Sequence, residues 1–119
     1  MKVAILGASN KPERYSYKAW KSLQQHGHEV VPINPGLESI EGMKVIRNLE
    51  DVAEKIDTLT MYVGSEISSK LTEKIVRLAP RRVIFNPGAE NPGLASELSE
   101  KGIEVLDACT LVLLKTNQF

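Results

Sequence analysis

The sequence predicts an α/β protein: a three-layer, doubly wound, Rossmann-like fold around a mostly parallel sheet of five or six strands. Three observations carry this expectation. Short runs of Val, Ile and Leu recur along the chain and are continuous rather than alternating, the pattern of parallel strands buried on both faces. Segments of helical character lie between them, so strand and helix alternate from start to finish, as right-handed βαβ units require. The polar stretches rich in Gly, Pro and Asn fall directly after the apolar runs, where ligands sit in such sheets.

The predicted strands are Val3–Leu6, Val30–Ile33, Leu59–Val63, Val83–Phe85 and Ile103–Leu106, with a weaker candidate at Lys44–Ile46. Pro32 removes one ladder donor and predicts a short or bulged second strand. Tyr17, Trp20, Leu23 and Gln24 share one helical face, and Gly27 stands at that helix's C-terminus. Asn48 is placed to cap a short helix over Leu49–Lys55, with Asp51 in its first turn. A longer helix is expected over Glu66–Leu78. Its apolar stripe is Ile67, Leu71, Ile75 and Leu78, Ser65 is its N-cap and Pro80 stops it. Another spans Pro92–Lys101, between an Asn91 cap and Gly102. The apolar tail Thr110–Lys115 fits either element.

The chain has 119 residues, enough for one domain over 1–119, with 42% hydrophobic and 25% charged residues. The formal net charge is zero, without the basic surplus that drives nucleic-acid binding. Cys109 is the only cysteine, which excludes an internal disulfide and suits a reducing cytosol. The opening MKVAILGASN is too short an apolar stretch for a membrane span or signal core. The expectation is a cytoplasmic protein.

The most informative stretch is ILGASNKPERYS, residues 5–16. A strand runs into Gly7, which permits a sharp turn and close approach to a ligand. Ala8 follows, Ser9 and Asn10 offer donors, and Lys11 and Arg14 supply positive charge. Ser16 is read as the opening of a helix whose amides favour an anion. The loop has neither GxGxxG nor GxxxxGK[ST] spacing, so the phosphate site expected here is of another kind, and a solvated loop with surface Lys and Arg is the alternative.

At the end of the second strand, an NAD site carries an acid for the ribose. Here stands Asn34-Pro35, which disfavours NAD. Asn34 could hold a ribose or base, and a plain Asn-Pro turn fits equally well. Val63-Gly64-Ser65 ends the third strand, where glycine permits close approach. An ordinary strand-to-helix connection explains it too. Asn86-Pro87-Gly88 is a strong turn signal whose amides could face a ligand's polar arm. Glu90 is either an acid–base group or a residue that is solvated or helps cap the following helix. Cys109 lies on the ligand edge, but His26 and His28 flank Gly27 at the opposite edge, so no catalytic pair is legible and the cysteine reads as buried and inert. Two isolated histidines argue for no metal.

Taken together, GASNKPERYS at 7–16, PINP at 32–35, Gly42, the Leu49 region, VGS at 63–65, NPGAEN at 86–91 and DACT at 107–110 resemble the small single-domain CoA-binding proteins. That family is related to the CoA-binding domain of the succinyl-CoA synthetase alpha subunit. The resemblance implies a coenzyme A or acyl-CoA ligand. Its phosphates would sit on Gly7, Ala8, Ser9, Lys11 and Arg14, and its adenosine end over this loop and Asn34-Pro35. Val63-Gly64-Ser65 would flank the adenine and the start of the pantetheine. Many small members carry a Trp-Gln-x-Gly-type turn where this chain has Asn86-Pro87-Gly88, which bears on contacts to the thiol end. The synthetase also uses a histidine from a second domain, a part this sequence does not show. The expectation is therefore a CoA binder without chemistry of its own and with an unknown protein partner. The alternatives are an NAD(P)-binding oxidoreductase or regulator, and a protein that forms a mixed disulfide with CoA through Cys109.

Overall fold

The computed structural model describes residues 1–119. Five parallel strands form the main sheet: β1 (Lys2–Leu6), β2 (Glu29–Ile33), β5 (Thr58–Met61), β6 (Arg82–Phe85) and β7 (Glu104–Asp107), in the order β2-β1-β5-β6-β7. A small antiparallel hairpin, β3 (Ser39–Ile40) and β4 (Met43–Lys44), sits between β2 and β5 in the chain. The helices are α1 (Tyr15–Gln25), α2 (Ser65–Ser68), α3 (Thr72–Leu78), α4 (Pro92–Glu100) and α5 (Thr110–Lys115).

The layers follow from the two-residue period of β1. Val3 and Ile5 pack with Trp20, Leu23 and Leu114 of α1 and α5. Ala4 and Leu6 pack with Ile75, Leu94 and Leu98 of α3 and α4. Both faces of the strand are dry, so its sequence is a continuous apolar run. The predicted doubly wound, Rossmann-like α/β fold is the observed one, and no helix is long and apolar enough to cross a membrane.

The structure corrects several local expectations. Pro32 neither shortens nor bulges β2, which pairs with β1 in unbroken register, Ile5 opposite Pro32. β2 is the edge strand, and the Pro32 carbonyl faces outward to accept the Ile46 N–H at 2.9 Å. The proline nitrogen faces the same side, so no bond to β1 is lost. The weak candidate Lys44–Ile46 divides between β4 and a single parallel bridge of Ile46 to Ile33. Ser39–Ile40 is its hairpin partner; Glu41 and Gly42 in the turn both have positive φ, as a tight two-residue turn demands.

The third predicted strand ends at Met61 rather than Val63. Gly7 turns β1 away, and Tyr62 N–H finds only the Leu6 carbonyl, at 2.9 Å. The predicted helix over Leu49–Lys55 is one 3-10 turn, Leu49–Asp51, and Asn48 does not cap it but donates to the Asp51 carboxylate at 3.3 Å. The helix expected over Glu66–Leu78 is broken into α2 and α3. Ser65 is the first residue of α2 and makes no capping bond; Gly64 precedes it as N-cap. Asn91 Nδ2 donates to Ser68 Oγ at 2.8 Å and Ser69 Oγ at 3.0 Å, where the helix breaks. Asn91 also caps α4 as predicted, accepting from Leu94 N–H at 3.1 Å. The ambiguous tail is helix α5.

The chain leaves β1 for β2 on one side and returns to β5 on the other. The carboxyl ends of β1 and β5 are thus the switch point of the sheet, where a crevice must open.

Candidate functional site at the switch point

Gly7 sets the shape of the crevice. Its φ is +91°, and a Cβ there would lie 3.0 Å from both the Tyr62 carbonyl oxygen and Val63 Cγ1. Glycine therefore lets the loop after β1 cross close to the loop after β5. Both Gly7 and Ala8 donate backbone bonds to the Ile33 carbonyl. Asn34 completes the tie: its Nδ2 donates to the Ala8 carbonyl at 2.7 Å, and its Oδ1 accepts from Gly36 N–H at 2.7 Å. The asparagine read as a ribose or base ligand is thus the brace between two loops.

A cavity of about 470 Å³ opens above this brace. Gly7, Ala8, Ser9, Asn10, Lys11 and Arg14 line it, together with Ser16 and Asn34. Eight of the fifteen residues singled out from the sequence therefore meet in one place. Ser9 Oγ accepts from Lys11 N–H at 3.1 Å and shapes the loop. The helix opens one residue earlier than expected, at Tyr15, with Arg14 at the N-cap position. Arg14 supplies no side-chain cap, and the first turn holds no acid. The amides of Tyr15, Ser16 and Tyr17 meet no acceptor in the chain. Lys11 and Arg14 make no ion pair. Uncapped amides, the positive end of an 11-residue helix and two unneutralised cations converge on one open space.

Two further cavities extend this one. Gly7 and Asn34 also line a space of about 300 Å³, walled by Leu6, Ile33, Leu49, Val63, Ile67 and Leu71. Pro35 and Val63 line this space, and Arg47, Glu50 and Lys74 form its polar rim. Ile67 is 57% exposed beside it. On the other side, Tyr62 and Tyr15 border both the first cavity and a third of about 280 Å³ that reaches Asn86, Pro87 and Cys109.

Beneath the third cavity lies an uncharged buried network. Asn86 Nδ2 donates to Thr60 Oγ1 at 2.6 Å and to the Met61 carbonyl at 2.9 Å, and its Oδ1 accepts from Thr110 N–H at 2.8 Å. The Thr60 and Thr110 hydroxyls are 2.8 Å apart. The Tyr62 hydroxyl is buried without a partner. Burial pushes its pKa up to about 12, so it stays a neutral donor.

Gly64, Ser65 and Gly88, also predicted, line none of these cavities. Gly64 has an ordinary φ of −69°, and a Cβ there would meet nothing, so the chain itself does not demand glycine. Gly88 donates its N–H to Glu90 Oε1 at 2.9 Å; Glu90 braces the turn. His26 bonds the Ser22 carbonyl and His28 the chain's amino terminus, at the far edge of the sheet as expected. Sequence reasoning missed Tyr15, Leu37, Arg47 and Lys74. Arg47 follows the weak strand signal at Lys44–Ile46, the one local cue to its place.

The model of the CoA binding domain matches residues 1–115. The chain belongs to the CoA-binding domain family. It is 28% identical over 112 residues to the uncharacterized protein YneT of Bacillus subtilis, covering 93% of this chain and 83% of that one. It is 29% identical over 101 residues to the alpha subunit of the ADP-forming acetate–CoA ligase II of Pyrococcus furiosus, covering 83% of this chain and 22% of the subunit. A crystal structure of an uncharacterized protein superimposes with a TM-score of 0.94 at 41% identity, over 99% of this chain and 97% of that one.

Proposed function

We propose that this domain binds coenzyme A or an acyl-CoA along the three joined cavities and holds it without chemistry of its own. The observation that carries the reading is the uncapped start of α1, beside Lys11 and Arg14, at the switch point. A pyrophosphate satisfies those amides and both cations together. The apolar cavity beside Val63 takes the adenine, and the cavity past Tyr62 takes the pantetheine arm. An NAD ligand fits less well. Asn34 is committed to Ala8 and Gly36, and the carboxylate on the adenine side, Glu50, is paired with Lys74 at 3.1 Å.

Thermal stability measured with CoA, dephospho-CoA, acetyl-CoA, NAD and ATP tests this. CoA at a hundred times its dissociation constant should stabilise the fold by about 2.7 kcal/mol. A shift with NAD and none with CoA overturns the reading.

One observation favours a second reading. Cys109 is half-buried and lines the third cavity with Tyr62. Its thiolate could attack the disulfide of oxidised CoA, forming a protein–CoA mixed disulfide and releasing one CoA thiol. Intact-mass spectra after exposure to oxidised CoA test it; an unmodified Cys109 in the folded protein rejects it.

A further inference from the structure

We propose that Arg47 reads the 3′-phosphate on the ribose of the ligand and sets a preference for CoA over dephospho-CoA. This deepens the CoA reading and rests on it.

Charge accounting leads to Arg47. The ligand presents anions in two places, a pyrophosphate on the 5′ side of the ribose and a monoester phosphate at the 3′ position. The α1 amides, Lys11 and Arg14 form one group around the first cavity. The adenine cavity joins that cavity at Gly7 and Asn34, so a nucleotide spanning both places its ribose at the junction. The 3′-phosphate then needs its own cation on the adenine side.

Two cations stand on that rim, Arg47 and Lys74. Lys74 Nζ lies 3.1 Å from Glu50 Oε2, and its charge is met within the chain. The Glu50 carboxyl is held below its ordinary pKa by its own backbone amide and by Lys74, so this pair persists as an ion pair. Asn48 is turned to Asp51. Arg47 makes no ion pair and no side-chain hydrogen bond, is exposed, and borders a cavity whose walls are otherwise mostly apolar. Folding gives it no partner. A guanidinium matches a phosphate with two parallel hydrogen bonds, and a solvent-facing position lets it adjust to the ligand. The hairpin β3–β4 and the Ile46–Ile33 bridge fix where Arg47 leaves the sheet.

Calorimetric titration of CoA and dephospho-CoA into the wild-type protein, Arg47→Gln, Arg47→Lys and Lys11→Gln separates the outcomes. Wild type should prefer CoA by about tenfold or more. Arg47→Gln should lose that preference by weakening CoA while leaving dephospho-CoA unchanged, and Arg47→Lys should keep part of it. Lys11→Gln should weaken both ligands alike. Melting temperatures of the free variants verify folding. The inference is overturned if Arg47→Gln keeps the preference or weakens both ligands equally. It is also overturned if Lys11→Gln is the variant that abolishes the preference. Should wild type bind both ligands equally well, the Arg47 assignment fails while the CoA reading stands. Should it bind neither, the CoA reading fails and takes the assignment with it.

Discussion

The two edges of the sheet treat charge in opposite ways. At the amino edge the strand starts are cross-linked by ion pairs. Lys2 reaches Glu29 and Glu54, and Arg81 reaches Asp57 and Glu104. Buried Arg82 is the exception: its Nε donates to Thr58 Oγ1 at 3.2 Å and its guanidinium lies 4.5 Å from the centre of the Phe119 ring, but its Nη2 has no hydrogen-bond partner. At the carboxyl edge, Lys11, Arg14 and Arg47 have no carboxylate partner, and the buried polar groups below them are neutral: Thr60, Asn86 and Thr110. Charge at one edge is used in folding; at the other, apart from the Lys74–Glu50 pair, the cations meet no carboxylate. The net charge of zero hides this asymmetry, because the two edges are averaged in it.

The largest effect should come from the neutral network rather than from any charge. Asn86 is 1% exposed and makes three internal hydrogen bonds. Asn86→Ala leaves the Met61 carbonyl and the Thr110 N–H without their side-chain partner in a buried site. It should cost about 3 kcal/mol in urea unfolding. A loss below about 1 kcal/mol would mean that water replaces the amide and that the third cavity is wetter than its lining suggests.

The next effect is on binding alone. Replacing Lys11 and Arg14 together by alanine should weaken CoA about 100-fold. The free protein should keep its stability within about 0.5 kcal/mol, since neither side chain is paired. Wild-type CoA affinity should also fall as salt rises, and the double variant should show a flatter dependence. A double variant that melts markedly lower would show that the cations at this edge also serve the fold.

How much of this could be read from the sequence depended on distance along the chain. The loop from Gly7 to Arg14 was legible because one contiguous segment carries the turn, the cations and the helix start. The five main strands were legible because burial on both faces leaves a continuous apolar signature. The break between α2 and α3 was not, because Asn91, 22 and 23 residues away from the serines it bonds, stands at the break. Local pattern saw only an unbroken apolar stripe. Arg47 and Lys74 were missed for the same reason, being brought to the crevice by the hairpin and α3 rather than by the motif. Tyr62 stood in a segment already singled out, but nothing local says that its hydroxyl is buried without a partner.

The smallest effect lies at the amino edge and depends on pH. Asp57 accepts from Arg81 Nε at 3.0 Å and Nη2 at 3.2 Å, and from the Thr58 hydroxyl at 2.6 Å. The Arg81 guanidinium, aided by that hydroxyl, holds the Asp57 carboxyl below its ordinary value against the opposing effect of burial. A depressed carboxylate pKa stabilises the fold fully at pH values above the unfolded-state pKa. That contribution is lost as pH falls through the folded value, here below about pH 4. Arg81 is 55% exposed, so solvent screening limits the pair to at most about 1 kcal/mol. Asp57→Asn should therefore lower the melting temperature by a few degrees at neutral pH and converge on wild type in acid, with CoA affinity unchanged. If the variant instead loses CoA affinity, the two edges are coupled through β5, and the division of charge between folding and binding does not hold.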